Sequence, residues 1–201
     1  MANLTPPLSS EDMAWVRIAT PLSADDLRDF CQDVQRLLRI NPMLEFIEWR
    51  EIAPNSYYLQ AKNLSNDKTI ATELNCEETK DGLKINYSEG IKSASFIKIE
   101  KNAESKGSSL VIIDDYSRFS ESERKQRLSE VDSSLETWGK YLYSYLKNWQ
   151  RWHWFPPFRW YTRYLWQPMK PSSRRIAYML ITISLFELLA FLVFVGVMIL
   201  N

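Results

Sequence analysis

Cysteine, histidine and glycine are scarce in this sequence, and each shortage excludes a class of chemistry. The two cysteines, Cys31 and Cys76, are too few and too far apart for a disulfide framework or a zinc site, so they read as reduced packing residues. His153 is the sole histidine, and no acid or second ligand lies near it in sequence. It reads as one more ring in an aromatic segment rather than a catalyst or metal ligand. The five glycines form no phosphate-cradling loop, and the chain contains no His-Glu-x-x-His, Gly-x-Ser-x-Gly or Cys-x-x-Cys motif. No metal and no cofactor are expected. The opening stretch Met1 to Pro7 has neither a positive nor an apolar region, so no secretory signal is read there.

A long basic run is also missing. Residues 149–175 hold six bases (Arg151, Arg159, Arg163, Lys170, Arg174, Arg175) and no acid, and beyond them Glu187 is the single charge. Setting these aside from the 25 groups of each sign leaves residues 1–148 with 19 bases and 24 acids, a net of −5. Nucleic-acid binding needs clustered cations against phosphates, so that class is excluded as a partner.

What the chain does have is a long apolar end. From Ile176 to Leu200 it runs 25 residues with one charge, enough as a helix to cross a hydrocarbon core of roughly 30 Å with some tilt. Lys170, Arg174 and Arg175 precede this span, so the expected topology is a single-pass, tail-anchored membrane protein with its N-terminal domain in the cytoplasm. Three regions follow: a soluble domain at 1–148, an aromatic and basic connector at 149–175, and a transmembrane helix at 176–200. Near the middle of the span, an ionised Glu187 costs on the order of 3 kcal/mol. It is either a tolerated neutral side chain or the contact point for a membrane-protein partner or a second copy.

In the connector, nine of the eighteen residues from Trp149 to Trp166 are aromatic. Trp149, Trp152, Trp154, Phe155 and Phe158 come first; Trp160, Tyr161, Tyr164 and Trp166 follow, with Arg159 and Arg163 among them. Amphipathic rings and guanidinium groups favour the headgroup level, so this reads as a collar at the membrane interface, interrupted at Pro156-Pro157. The alternative is a helix that packs its rings back on the domain.

The soluble domain reads as α+β. A strand around Asp12 to Thr20 is followed by Ser23, a helix N-cap with acids behind it, and the helical pattern runs on to Asn41-Pro42. Six segments of strand length come next: Met43 to Ile52, Ser56 to Leu64, Lys68 to Cys76, Gly82 to Ser88, Ile91 to Lys101 and Ser108 to Ser117. The links between them are short and turn-like, which implies antiparallel neighbours. Alternation at Leu83, Ile85 and Tyr87 leaves one sheet face wet. Leu128, Val131, Leu135, Trp138, Leu142, Tyr145 and Trp149 then form a single stripe along a long helix that covers the other face.

This order of elements, with Leu38-Arg39-Ile40-Asn41-Pro42 ending the early helix and Tyr87-Ser88-Glu89-Gly90 leading to Phe96-Ile97-Lys98-Ile99, resembles the START-like superfamily. That superfamily includes polyketide cyclases, Bet v 1-like allergens and lipid-transfer domains. The resemblance implies a helix-grip fold, with the sheet wrapped round the long C-terminal helix and an elongated apolar cavity between them. Leu74, Leu83, Ile85, Tyr87 and Ile97 would line it from the sheet, with Ile112 and Asp114 beside them and Trp138 and Leu142 facing them from the helix. It also implies a hydrophobic ligand, such as a lipid, isoprenoid quinone, sterol-like or polyketide-like molecule. Two other roles stay open: a cyclase or aromatase acting on a membrane-borne substrate, and a non-catalytic assembly factor that docks on a membrane complex. Of Asp114 and Asp115, strand alternation must turn one inward, as an acid or base or as a polar anchor.

Overall fold

The computed structural model describes residues 13–101, 107–120, 122–123 and 134–200. Strand β1 (Met13–Thr20) comes first, followed by α1 (Ala24–Gln32) and α2 (Val34–Arg39). Ser23 caps α1 by accepting the Asp26 amide at 3.1 Å. Asp33 interrupts the helical run: it leaves helical geometry at ψ 78° and accepts the Arg36 amide at 3.0 Å, so it ends α1 and starts α2.

The meander continues through β2 (Leu44–Ala53), β3 (Ser56–Asn63), β4 (Lys68–Thr79), β5 (Gly82–Tyr87), β6 (Ala94–Lys101) and β7 (Ser108–Asp115). Every strand pairs antiparallel with its neighbour, and β1 joins the far edge beside β7, giving the order β1-β7-β6-β5-β4-β3-β2. Asn55 and Asp67 adopt φ of 59° and 58° in the β2–β3 and β3–β4 turns, a conformation that Asn and Asp tolerate. Register shifts between Phe46 and Glu48 and between Glu51 and Ala53 bend β2, as an extra residue on one strand does.

Helix α3 (Leu135–Trp152) lies against the inner sheet face and buries Leu135, Trp138, Gly139, Leu142 and Leu146. Gly139 permits this approach: a β-carbon there would sit 3.0 Å from Val16 Cγ2. The expected stripe positions Leu128 and Val131 lie outside the described residues. From the sheet, Ile18, Leu59, Leu74, Ile85, Ile97 and Leu110 meet the helix, each no more than 5% exposed. Such close packing resembles an organic solid rather than a liquid interior.

Beyond α3, Pro156 opens the short α4 (Pro156–Trp160), where a missing amide proton costs nothing. It runs into a π-helical turn, Tyr161–Trp166. Helix α5 (Pro171–Leu200) follows and is apolar on all sides. It is the one helix among the described residues long and apolar enough to cross a membrane, and its most apolar 18-residue stretch has mean hydropathy 2.5 with no residue buried.

Candidate functional site

Pairing of β6 with β7 sets Asp114 directly opposite Ser95, on the inner face with Ile112 and Leu110. Asp114 is wholly buried; two side chains hold it, and a third holds one of those two. Lys92 Nζ stands 2.7 Å from Oδ2, and Ser95 Oγ donates to Oδ1 at 2.5 Å. The Tyr87 hydroxyl lies 3.2 Å from Ser95 Oγ. This is a charge held in place by its partners, so it suits the anchoring of a polar group better than nucleophilic attack. Asp115 turns the other way. Burial pushes its carboxyl up, but hydrogen bonds from Ser117 and Ser93 outweigh that and hold it below the usual range.

Tyr87 and Lys92 also line a cavity of about 70 Å3 between the sheet, α2 and α3. Leu38, Leu44, Leu59, Ile70, Ile91 and Trp138 give its apolar wall, and Asn41, Asn63 and Thr72 add polar atoms. At roughly 30 Å3 of liquid volume per water, the space takes a ring edge or a chain end, well below the roughly 300–1,000 Å3 of small-molecule pockets. Of the nine residues expected to line a cavity, Tyr87 and Trp138 do so. Leu74, Leu83, Ile85, Ile97, Ile112 and Leu142 share the inner face but are packed into the core, none more than 6% exposed.

The corner between α2 and β2 forms one buried side of the cavity, and Glu89 and Gly90 are its exposed lining residues. Asn41 Nδ2 donates to Ser134 Oγ at 2.9 Å, and Trp138 Nε1 donates to the Leu37 carbonyl at 3.2 Å. The root of α5 grips the same corner. Arg174, 9% exposed, donates to the carbonyls of Arg39 at 2.6 Å, Gln167 at 2.7 Å and Trp166 at 3.0 Å, while its guanidinium lies 4.3 Å from the Trp166 ring centre. Lys170 Nζ reaches Glu45 at 2.8 Å. Sequence reasoning gave Arg174 and Lys170 a topological role alone and did not single out Lys92 or Ser95. The signal for Ser95 was available, since it occupies the inward register of β6 two residues before Ile97.

The connector divides its rings between the two readings. Trp149, Phe158 and Trp166 turn back on the domain: Tyr145 lies 6.2 Å from Trp149 and 5.6 Å from Trp166, and Trp149 lies 6.5 Å from Phe158. Trp152, Trp154, Phe155, Trp160 and Tyr164 stay exposed, as do Arg159 and Arg163. His153 is exposed and stacks on Trp149 at 6.2 Å. Burial pushes the Tyr145 hydroxyl up to about 12. It does the same to the thiols, Cys31 to about 12 and Cys76 to about 11, which leaves both protonated and unreactive. Among the described residues no cluster of His, Cys, Asp or Glu is arranged to hold a metal.

No family model and no curated protein matches the sequence. Solved structures do match. A Thermus thermophilus protein superposes with a TM-score of 0.50 at 13% identity, over 68% of this chain and 97% of its own. A Nitrosomonas europaea protein gives 0.50 at 10% identity, over 72% and 100%. A STAR-related lipid transfer protein of Xanthomonas axonopodis gives 0.39 at 12%, over 70% and 97%. A seven-stranded antiparallel sheet closed on a long C-terminal helix is the helix-grip fold, and the chain is START-like in fold with one apolar helix appended.

Proposed function

We propose that this chain is a membrane-anchored binding protein whose grip accepts part of a hydrophobic ligand bearing a polar group. One observation carries the reading: the segment that lines one side of the cavity, through Leu38, Asn41 and Leu44, is the segment that Arg39 and Glu45 tie to the root of the apolar helix. A bilayer crossed by α5 would thus lie close to the cavity wall. Lys92 and Tyr87, fixed by Asp114 and Ser95, would receive the polar group of the ligand. The bases Lys170, Arg174 and Arg175 ahead of the span favour a cytoplasmic domain.

The test is native mass spectrometry with organic extraction of the full chain, beside Ile70→Trp, which fills the cavity. The expected result is one lipid or isoprenoid quinone per chain in the parent and less than a tenth of that in Ile70→Trp. A second reading, the assembly factor, is favoured by the small volume of the cavity. It predicts equal lipid content in the two proteins and capture of a membrane-protein partner by both.

A further inference from the structure

A cleft lies outside the grip, where the connector folds back on α2 and α3. It measures about 430 Å3 and has Arg36, Arg159 and Arg163 in its walls, with Asp33 the one acid. Three cations against one anion leave a net of +2. Asp33 is committed elsewhere: it caps α2 through the Arg36 amide at 3.0 Å, and its other oxygen lies 3.6 Å from Arg36 Nε. Arg36 is already engaged: Nη2 donates to the Phe30 carbonyl at 3.3 Å, and the guanidinium lies 4.5 Å from the Phe30 centroid and 5.6 Å from that of Trp149. Arg159 and Arg163 are four residues apart on one helical face, and among the described residues neither has an acid within ion-pair distance. Two guanidinium groups without an ion pair among the described residues, Arg159 and Arg163, that line one concave site beside Arg36 match the forked geometry by which arginine holds phosphate oxygens.

Tyr145 and Trp149 form a shared wall with a second cleft of about 240 Å3, which is aromatic and extends past Phe158 and Trp166 to Tyr178 on α5. The two spaces together offer a charged compartment next to a mainly aromatic one, whose polar atoms come from Ser144, Asn148, Thr162 and Arg174, at the foot of the apolar helix. A free inorganic anion would use only the first, whereas an amphiphile with a phosphate head would use both.

We infer that Arg36, Arg159 and Arg163 form a binding site for the phosphate headgroup of a single anionic phospholipid, whose acyl chain enters the aromatic cleft along Tyr145 and Trp149. The inference rests on α5 as a membrane anchor and is independent of the grip cavity. Bound there, one lipid bridges α2, α3 and the connector, and so sets the orientation of the domain on an anionic bilayer.

The experiment uses the full chain in nanodiscs of phosphatidylcholine with or without phosphatidylglycerol, with lipid adducts counted by native mass spectrometry after gentle release. The parent is expected to retain one phosphatidylglycerol in preference to phosphatidylcholine. Arg159→Gln with Arg163→Gln should lower that retention at least tenfold. Arg151→Gln with Arg175→Gln removes the same charge outside the cleft and should leave it intact, as should Ile70→Trp in the grip. Equal loss in both double variants would reduce the effect to general surface charge and overturn the site. So would displacement of the lipid by millimolar inorganic phosphate, which would mark a small-anion site. Release of the parent from membranes by alkaline carbonate would defeat the anchoring reading instead, and retention in detergent micelles would then decide the headgroup site.

Discussion

The Asp114 carboxylate is the costliest single group in the core, because an unpaired charge at full burial has no water to offset its desolvation. Lys92, with 17% of its side chain exposed, supplies the compensating charge from the β5–β6 connection. Asp114→Ala removes the buried partner of that lysine and should lower stability by about 3 kcal/mol, in the range for breaking a buried pair. Adding Lys92→Met should recover part of the loss, since a well-packed apolar pair often matches the ionic one. Urea denaturation in detergent, followed by tryptophan fluorescence, measures both. If the second change adds to the loss, the pair contributes through packing alone. The buried thiols and Tyr145 set a pH limit of a different kind. Their folded values, about 12, 11 and 12 for Cys31, Cys76 and Tyr145, lie above the ordinary 9.0 and 10.0, so the folded state holds these protons more tightly. Their contribution is complete below about pH 9 and declines as the pH rises towards 12. Iodoacetamide at pH 8 should therefore label neither cysteine in the native chain and both after denaturation. Labelling of native Cys31 would contradict its burial.

At the scale of elements, Arg174 holds the connector and the base of α5 to the domain. Its three carbonyl acceptors belong to Arg39, Trp166 and Gln167, groups otherwise left open at the ends of α2 and the π turn. Arg174→Ala should release the connector at a local cost of about 3 kcal/mol, because hydrogen bonds to charged groups contribute roughly 1.5–3 kcal/mol each and water recovers part. Arg174→Lys should recover little, as an ammonium cannot replace a planar fork stacked on Trp166. Hydrogen exchange reads this as faster exchange over 161–167 while the strands stay protected; unchanged protection would mean that the Lys170–Glu45 pair and ring stacking suffice. The strands themselves were legible in the sequence because turn residues such as Pro54-Asn55 and Asp81-Gly82 punctuate them. Ser23 and the proline after Asn41 marked the helical region for the same local reason. The connector resisted that reading. Its rings fit both a membrane collar and a folded-back helix, and the π turn shifts the helical phase, so Phe158 and Trp166 turn inward while Trp160 and Tyr164 stay out. Cavity size also depends on how fully Trp138, Leu142 and Leu146 fill the grip, a property of packing that no spacing of residues encodes.

For the whole molecule, the Arg174 and Lys170 contacts at the base of α5 link the domain to the apolar helix. The 25 residues from Ile176 to Leu200 extend roughly 37 Å at 1.5 Å per residue, more than a hydrocarbon core of roughly 30 Å, so in the proposed anchored form tilt would absorb the excess. Glu187 lies within that stretch on an exposed face, one helical turn from Ser184 and from Ala190, and among the described residues nothing in the chain shields it. A carboxyl so placed carries an insertion cost on the order of 3 kcal/mol, which a contact in a partner helix or a second copy would offset. Glu187→Leu should therefore leave the chain membrane-integral under carbonate extraction and abolish cross-linking between cysteines placed at Ser184 in neighbouring helices. Glu187→Gln, which keeps a hydrogen-bonding group without the charge, should retain much of that cross-linking. If Glu187→Leu cross-links as well as the parent, the carboxyl has no helix partner and is simply carried as a neutral side chain by an otherwise apolar span.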